Sequence, residues 1–215
     1  MRDSVHIEAG AHIIRPSKTE RLLGVQVAED LMWKEHIIDN NNSLVKQLNS
    51  RINGMCLIAK RANFKDRLMI ANGIYMSKLC NLIQLWGGTN DYLLRALQLT
   101  QNRICRIITR KSWFTPTRVL LRECNWLSVH QLVEYHTLLS AHKIVTNKRP
   151  QYLHSKMCQY HSYNTRNTVL FGDNFTAKSA LAAKSFCYRA TVAYNKSKGL
   201  KADLRKQEKF IGQQA

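Results

Sequence analysis

Apolar residues change their spacing along this chain, and the changes mark its elements. From Val5 to Val27 they come in short β-like groups: Val5-His6-Ile7, His12-Ile13-Ile14 and Leu22 through Val27, punctuated by Gly10 and Pro16. This pattern predicts a hairpin or sheet edge. Beyond Trp33 the steps lengthen to three and four, placing Ile37, Leu44, Leu48, Ile52, Met55 and Ala59 on one helical stripe. A second helix is predicted from about Lys65 to Trp86, stopping at Gly87-Gly88, where a residue able to take positive φ is expected. Thr89-Asn90-Asp91 supplies N-cap chemistry for a third helix, which continues to about Arg110. Thr115-Pro116-Thr117 sets a capping hydroxyl before a proline at the first helical position. Ser128-Val129-His130-Gln131 spells a capping box for a helix to about Asn147. Residues 155–174 are polar and read as a loop, and the chain is helical again from Ala177, with a charged end after Lys196 that frays. The expected fold is mainly α, with a short N-terminal β-hairpin or sheet edge ahead of a helical bundle and a C-terminal helical region.

With 215 residues, 45% of them hydrophobic, and only three prolines, the chain lies far from disordered compositions. A chain this long can bury roughly 70% of its unfolded surface. Charge changes the picture most. Lys and Arg number 33 against 14 acids, a net charge of +19, and such self-repulsion disfavours the compact state until salt or a polyanion offsets it. Nucleic acid is the commonest polyanion. An anionic membrane would be matched by one basic amphipathic helix or a juxtamembrane cluster, whereas these cations are spread along the whole chain. The start has no apolar signal region, and the most apolar stretch, Ile74 to Trp86, is interrupted by Ser77, Lys78, Asn81 and Gln84. An intracellular, soluble protein is expected, with no membrane partner; nuclear and cytoplasmic sites are equally open. The six cysteines are widely spaced and read as reduced, partly buried thiols.

Candidate chemistry concentrates in the third helix. Arg103, Arg106 and Arg110 recur at spacings of three and four, with Ile104, Ile107 and Ile108 on the other side. Like charges so spaced destabilise an isolated helix by a few tenths of a kcal/mol per pair, so phosphates opposite would explain them. The plainer explanation is a solvated face. Lys60, Arg61, Lys65 and Arg67 form a second cluster at a predicted helix–helix turn. Trp113 and Phe114 beside Lys111, and Tyr160 and Tyr163 near Arg166, interleave aromatics with cations, an arrangement that suits stacking on unpaired bases. Tryptophans more often anchor cores, which is the competing role for Trp33, Trp86, Trp113 and Trp126. His154, Cys158 and His161 lack a second ligand pair at finger or knuckle spacing, so no metal is expected. No paired-aspartate site for two magnesium ions, phosphate-cradling glycine loop or nucleophile turn is present, and neither a catalytic residue nor a cofactor is expected.

Several segments together resemble the C-terminal half of a non-LTR (LINE-type, Jockey or CR1-like) retrotransposon reverse transcriptase. They are Leu23-Gly24-Val25 with Leu31-Met32-Trp33-Lys34-Glu35-His36-Ile37; Ile74-Tyr75-Met76-Ser77-Lys78-Leu79; Leu85-Trp86-Gly87-Gly88; and Leu97-Gln98-Leu99-Thr100-Gln101-Asn102-Arg103. Asn125-Trp126-Leu127-Ser128-Val129-His130-Gln131-Leu132 with Tyr135-His136, Pro150-x-Tyr152-Leu153, Tyr163-x-Thr165-Arg166 and Ser185-Phe186-x-Tyr188-Arg189-Ala190 follow in the family's order. The resemblance implies a palm remnant with a primer-grip-like hairpin over 1–32, thumb-like helices over 33–111 and a C-terminal helical region over 112–215. It implies that Leu23 and Gly24 sit in the primer-grip turn, where a missing side chain lets backbone approach a primer end. The family's catalytic aspartates lie upstream of this segment, and endonuclease and fingers are absent. Asn81 stands where the family usually has tyrosine, and Lys196-Ser197 replaces its usual Leu-Pro.

The expectation is a truncated reverse-transcriptase-like fragment that binds RNA or RNA–DNA duplex through phosphates, without polymerase activity. The nucleic-acid contacts expected are Leu23, Gly24, Lys60, Arg61, Lys65, Arg67, Arg103, Arg106, Arg110, Lys111 and Arg166. The alternatives are a protein-interaction or homodimerising helical module, a thumb acting in trans with an upstream polymerase fragment, and a retroelement remnant without function.

Overall fold

The computed structural model describes residues 7–9, 12–14, 17–157 and 179–197. The fold is mainly helical behind a short antiparallel β segment. β1 (Ile7–Ala9) pairs with β2 (His12–Ile14), and β3 (Thr19–Leu22) with β4 (Val25–Ala28). The run from Leu22 to Val27 is therefore the tip of a second hairpin. Leu22 pairs with Val25 across a two-residue turn in which Leu23 and Gly24 take φ of 50° and 83°. Two successive positive φ values match the strand twist; glycine takes the second at no steric cost, while Leu23 bears the penalty of a side chain at the first. Helical structure follows as a π-helical turn (Glu35–Asp39), α1 (Leu44–Ala59), α2 (Phe64–Ala71), a second π-helical turn (Asn72–Met76), α3 (Ser77–Leu79), α4 (Ile83–Trp86) and α5 (Asp91–Thr109). Then come α6 (Thr117–Glu123), α7 (Val129–Asn147), α8 (Gln151–Met157), α9 (Ala180–Lys184) and α10 (Phe186–Lys196).

These elements form two compact units, 1–82 with 89–126, and 83–88 with 127–215. Compactness thus groups the chain differently from the division at residues 32 and 111. In the first unit the expected stripe of Leu44, Leu48, Ile52, Met55 and Ala59 is buried. α1 packs on α5, which buries Leu93, Leu97, Ile104 and Ile108. Each such side chain contributes on the order of 1.5–3 kcal/mol. In the Gln-x-x-Gln-Asn segment Gln101 and Asn102 are buried too, and Gln98 is half-buried. Gln98 Nε2 donates to Gln101 Oε1 at 2.8 Å and to Asn102 Oδ1 at 2.9 Å, and Asn102 Nδ2 donates to Thr117 Oγ1 at 2.9 Å, tying α5 to α6. The Thr100 hydroxyl donates to Leu97 O, so the buried Tyr75 hydroxyl is the donor in its 2.8 Å bond to Thr100.

Several expectations need correction. The single helix from Lys65 to Trp86 is broken at Cys80–Leu82, where Leu82 takes φ of 52°. Leu79, Ile83 and Trp86 are all fully buried, so the apolar stripe runs through the break and conceals it. Among the described glycines Gly24 alone has positive φ; Gly87 and Gly88 serve close packing instead. A Cβ at Gly87 would stand 2.6 Å from Val133 Cγ1 on α7, and one at Gly88 would collide with the Lys184 carbonyl. Pro116 caps α6 rather than beginning it, and Thr117 is the first helical residue.

In the second unit, Ser128 and Gln131 form the expected reciprocal capping box, and α7 ends at Asn147 with Lys148 in the left-handed region. α10 packs on α7, with Ala141, Ile144, Met157, Ala190 and Tyr194 as a shared core. Ser155 to Met157, predicted as loop, belong to α8. Residues 158–174 of that loop and the charged end beyond Ser197 lie outside the described residues.

Candidate nucleic-acid interface

Helix ends leave carbonyls without partners, and a guanidinium is the side chain best suited to cap them. Arg67, from α2, is 5% exposed and donates Nε to Ile108 O at 2.8 Å and Nη1 to Ala62 O at 2.6 Å. Arg110, past the end of α5, donates Nη2 to Ala59 O at 3.0 Å and to Lys60 O at 3.3 Å. These bonds tie the α1–α2 turn to the C-terminal end of α5. Two clusters fifty residues apart in sequence, Lys60, Arg61 and Lys65 on one side and Arg110 and Lys111 on the other, are thereby brought together at one end of the first unit. All five are exposed. Lys111 pairs with Glu123 at 3.1 Å on the surface, a contact worth little in water and easily exchanged for a phosphate.

The remaining cations divide by what they touch. Arg103 leans toward α1, with bonds of 3.4 Å to Asn49 Oδ1 and 3.3 Å to Asn53 Oδ1, long enough to yield to a stronger acceptor. Arg106 lies 4.5 Å over the Trp113 ring and donates to Trp113 O at 3.1 Å, while its shielded Nε meets no acceptor among the described residues. Arg67 is withdrawn from solvent altogether, its fork occupied by protein carbonyls. Leu23 and Gly24 are at a different place, the β3–β4 turn, where a Cβ on Gly24 would lie 3.5 Å from Asn81 Nδ2. Arg166 lies outside the described residues, as do Tyr160, Tyr163, Cys158 and His161. Among the described residues no cluster of His, Cys, Asp or Glu could hold a metal.

Two features escaped sequence reasoning. Arg21 on β3 and Arg51 on α1 act on Lys78 of α3, whose ammonium is lowered first by burial and then by those two charges. The three come from separate elements, so no spacing rule joins them. The second is the fate of the tryptophans. Trp86 is fully buried; Trp126 is half-buried, stacks on Tyr75 at 6.1 Å and 9°, and donates Nε1–H to Asn72 Oδ1 at 2.9 Å. Trp113 and Phe114, by contrast, are 72% and 90% exposed. The cysteines also differ: Cys105 and Cys124 are buried, but Cys56 is exposed. No protein-family model, curated protein or solved structure matches this chain. Among the described residues no helix is long and apolar enough to cross a membrane.

Proposed function

We propose that this chain is a nucleic-acid-binding helical module, akin to the thumb and post-thumb region of a non-LTR retrotransposon reverse transcriptase, that holds RNA or RNA–DNA duplex by phosphate contacts and performs no polymerisation itself. The observation that carries the reading is the convergence of Lys60, Arg61, Lys65, Arg110 and Lys111, all exposed, at one end of the first unit. Among the described residues the only carboxylate paired within that group is Glu123, on Lys111. Phosphates would relieve the repulsion among these charges and complement the +19 net charge. The alternative of a homodimer draws on Leu57, Met69 and Leu99, which are 76%, 66% and 68% exposed on α1, α2 and α5.

Fluorescence anisotropy with a labelled RNA–DNA duplex tests the reading. If about six phosphates are contacted, affinity falls at least roughly 10³-fold between about 50 and 200 mM salt. Binding that ignores salt, or no binding at all, refutes it. Light scattering that shows a dimer at low salt, without duplex binding, would favour the homodimer.

A further inference from the structure

An indole held in place and yet open to water is an uncommon use of a large apolar side chain. Trp113 sits in the loop between α5 and α6, and one guanidinium fixes it twice. Arg106 lies 4.5 Å above the ring, where the negative face of the π system attracts it, and its Nη2 donates to the carbonyl of the same residue at 3.1 Å. With one face under Arg106, the 72% exposure of Trp113 must come from the opposite face and the ring edges. Phe114, next in the chain, is 90% exposed. Arg110 and Lys111, both exposed, lie just before this pair in the sequence.

We propose that the free face of Trp113 is a stacking platform for an unpaired nucleobase, with Phe114 offering a second ring to its neighbour and Arg110 and Lys111 taking the intervening phosphates. The inference rests on the nucleic-acid reading above and adds to its phosphate contacts a site for unpaired bases. Geometry favours that class, because bases in a duplex turn their faces to each other and present only edges and backbone. A ring already fixed by Arg106 loses little freedom when a base settles on it. Stacking on an aromatic is sequence-tolerant, since every base has a π face. A guanidinium, an indole and a base would then form three layers.

The test compares the full-length protein with Trp113→Ala, Trp113→Phe and Phe114→Ala, using a uridine-rich single-stranded oligoribonucleotide and a blunt RNA–DNA duplex. Trp113→Ala should weaken single-strand binding roughly tenfold, and Trp113→Phe should restore most of it. Duplex affinity should stay within about twofold, and the salt slope on both probes should not change, because no charge is lost. Tryptophan emission should be quenched by the single strand in the wild type and not in Trp113→Phe. Equal single-strand affinity in wild type and Trp113→Ala, with duplex binding intact, overturns the stacking proposal alone. Failure of the wild type to bind either probe removes both it and the reading beneath it. A dimer that forms without RNA and disappears in Trp113→Ala overturns it in favour of a protein contact.

Discussion

Arg67 Nε donates to the carbonyl of Ile108 across 2.8 Å, joining two residues forty-one apart in sequence. Arg110, two residues beyond Ile108, spans the same gap in the other direction to Ala59. The turn between α1 and α2 and the end of α5 are thus clamped by two arginines from opposite sides. This clamp sets the surface on which Lys60, Arg61 and Lys65 are displayed. Arg67→Ala would strip two carbonyls of a charged donor inside the protein, and such bonds contribute about 1.5–3 kcal/mol each. The expected loss is about 3 kcal/mol, read as a lower urea midpoint. Arg67→Lys should not rescue it, since one ammonium cannot reproduce the fork that reaches both oxygens. An unchanged midpoint in Arg67→Ala would show that the clamp carries no weight.

Removing the displayed cations should do the reverse. Lys60→Gln and Lys65→Gln touch side chains that face solvent, so the unfolding free energy from urea titration should change by less than about 0.5 kcal/mol. Duplex binding should weaken for all sequences alike, and the log–log salt slope should fall by about one for each charge removed. Arg110→Gln is a poorer probe, because its guanidinium also caps α1. A sequence-dependent loss in the lysine variants would contradict phosphate contact.

His36 makes stability depend on pH. It is 5% exposed, its Nδ1 accepts from the Gln26 amide at 3.3 Å, and it titrates near 4 instead of 6.5. Burial is the main cause, and the charges of Lys78 and Arg21 add to it. The unfolded chain therefore takes up a proton that the folded chain refuses. Above pH 6.5 both states are neutral at this site and nothing is lost; between 6.5 and about 4 stability falls as acid is added, and below that the slope ends. The total is on the order of 3 kcal/mol, at about 1.36 kcal/mol per pH unit across that interval. His136, lowered by burial and then by Lys143, adds in the same direction. Urea titrations between pH 7 and 4 should show the decline, and His36→Gln with His136→Gln should flatten most of it. Persistence of the full slope in the double variant would place its origin elsewhere.

How much of this was legible in the sequence differs by residue. The capping box at Ser128 and Gln131 was fully readable, because its chemistry is local and needs four consecutive residues. The buried stripe from Leu44 to Ala59 was readable from its period. The break at Leu82 was not, since the fully buried Leu79, Ile83 and Trp86 keep helical spacing across it. Arg103, Arg106 and Arg110 look alike in sequence, yet Arg103 reaches asparagines, Arg106 covers an indole and Arg110 caps a helix. Only partners brought in by tertiary contact separate them. Arg67 shows the limit most clearly: it sits among surface lysines in the sequence and is nonetheless withdrawn from solvent to serve two carbonyls.

The glycines allow a paired test in which the same substitution should have opposite signs. At Gly54, in the exposed middle of α1, an added Cβ meets nothing within 4 Å. Gly54→Ala should stabilise by roughly 0.5–1 kcal/mol, because glycine gives up more backbone freedom than alanine on entering a helix. At Gly88 the same methyl would strike the Lys184 carbonyl and stand 2.7 Å from Arg189 Nε. That guanidinium is engaged there, donating to Gln84 O at 2.6 Å and to Lys184 O at 3.1 Å, and holds the end of α4 to the start of α10 within the second unit. Gly88→Ala must displace it or bend the backbone, at a cost of about 1–3 kcal/mol or more. Arg189→Met, which removes the donors but keeps bulk, should destabilise in the same direction by leaving partly buried carbonyls without their charged donor. If Gly88→Ala loses stability while Arg189→Met does not, the cost lies in the backbone collision alone. If Gly88→Ala is as mild as Gly54→Ala, the close approach that explains the Trp-Gly-Gly segment does not exist.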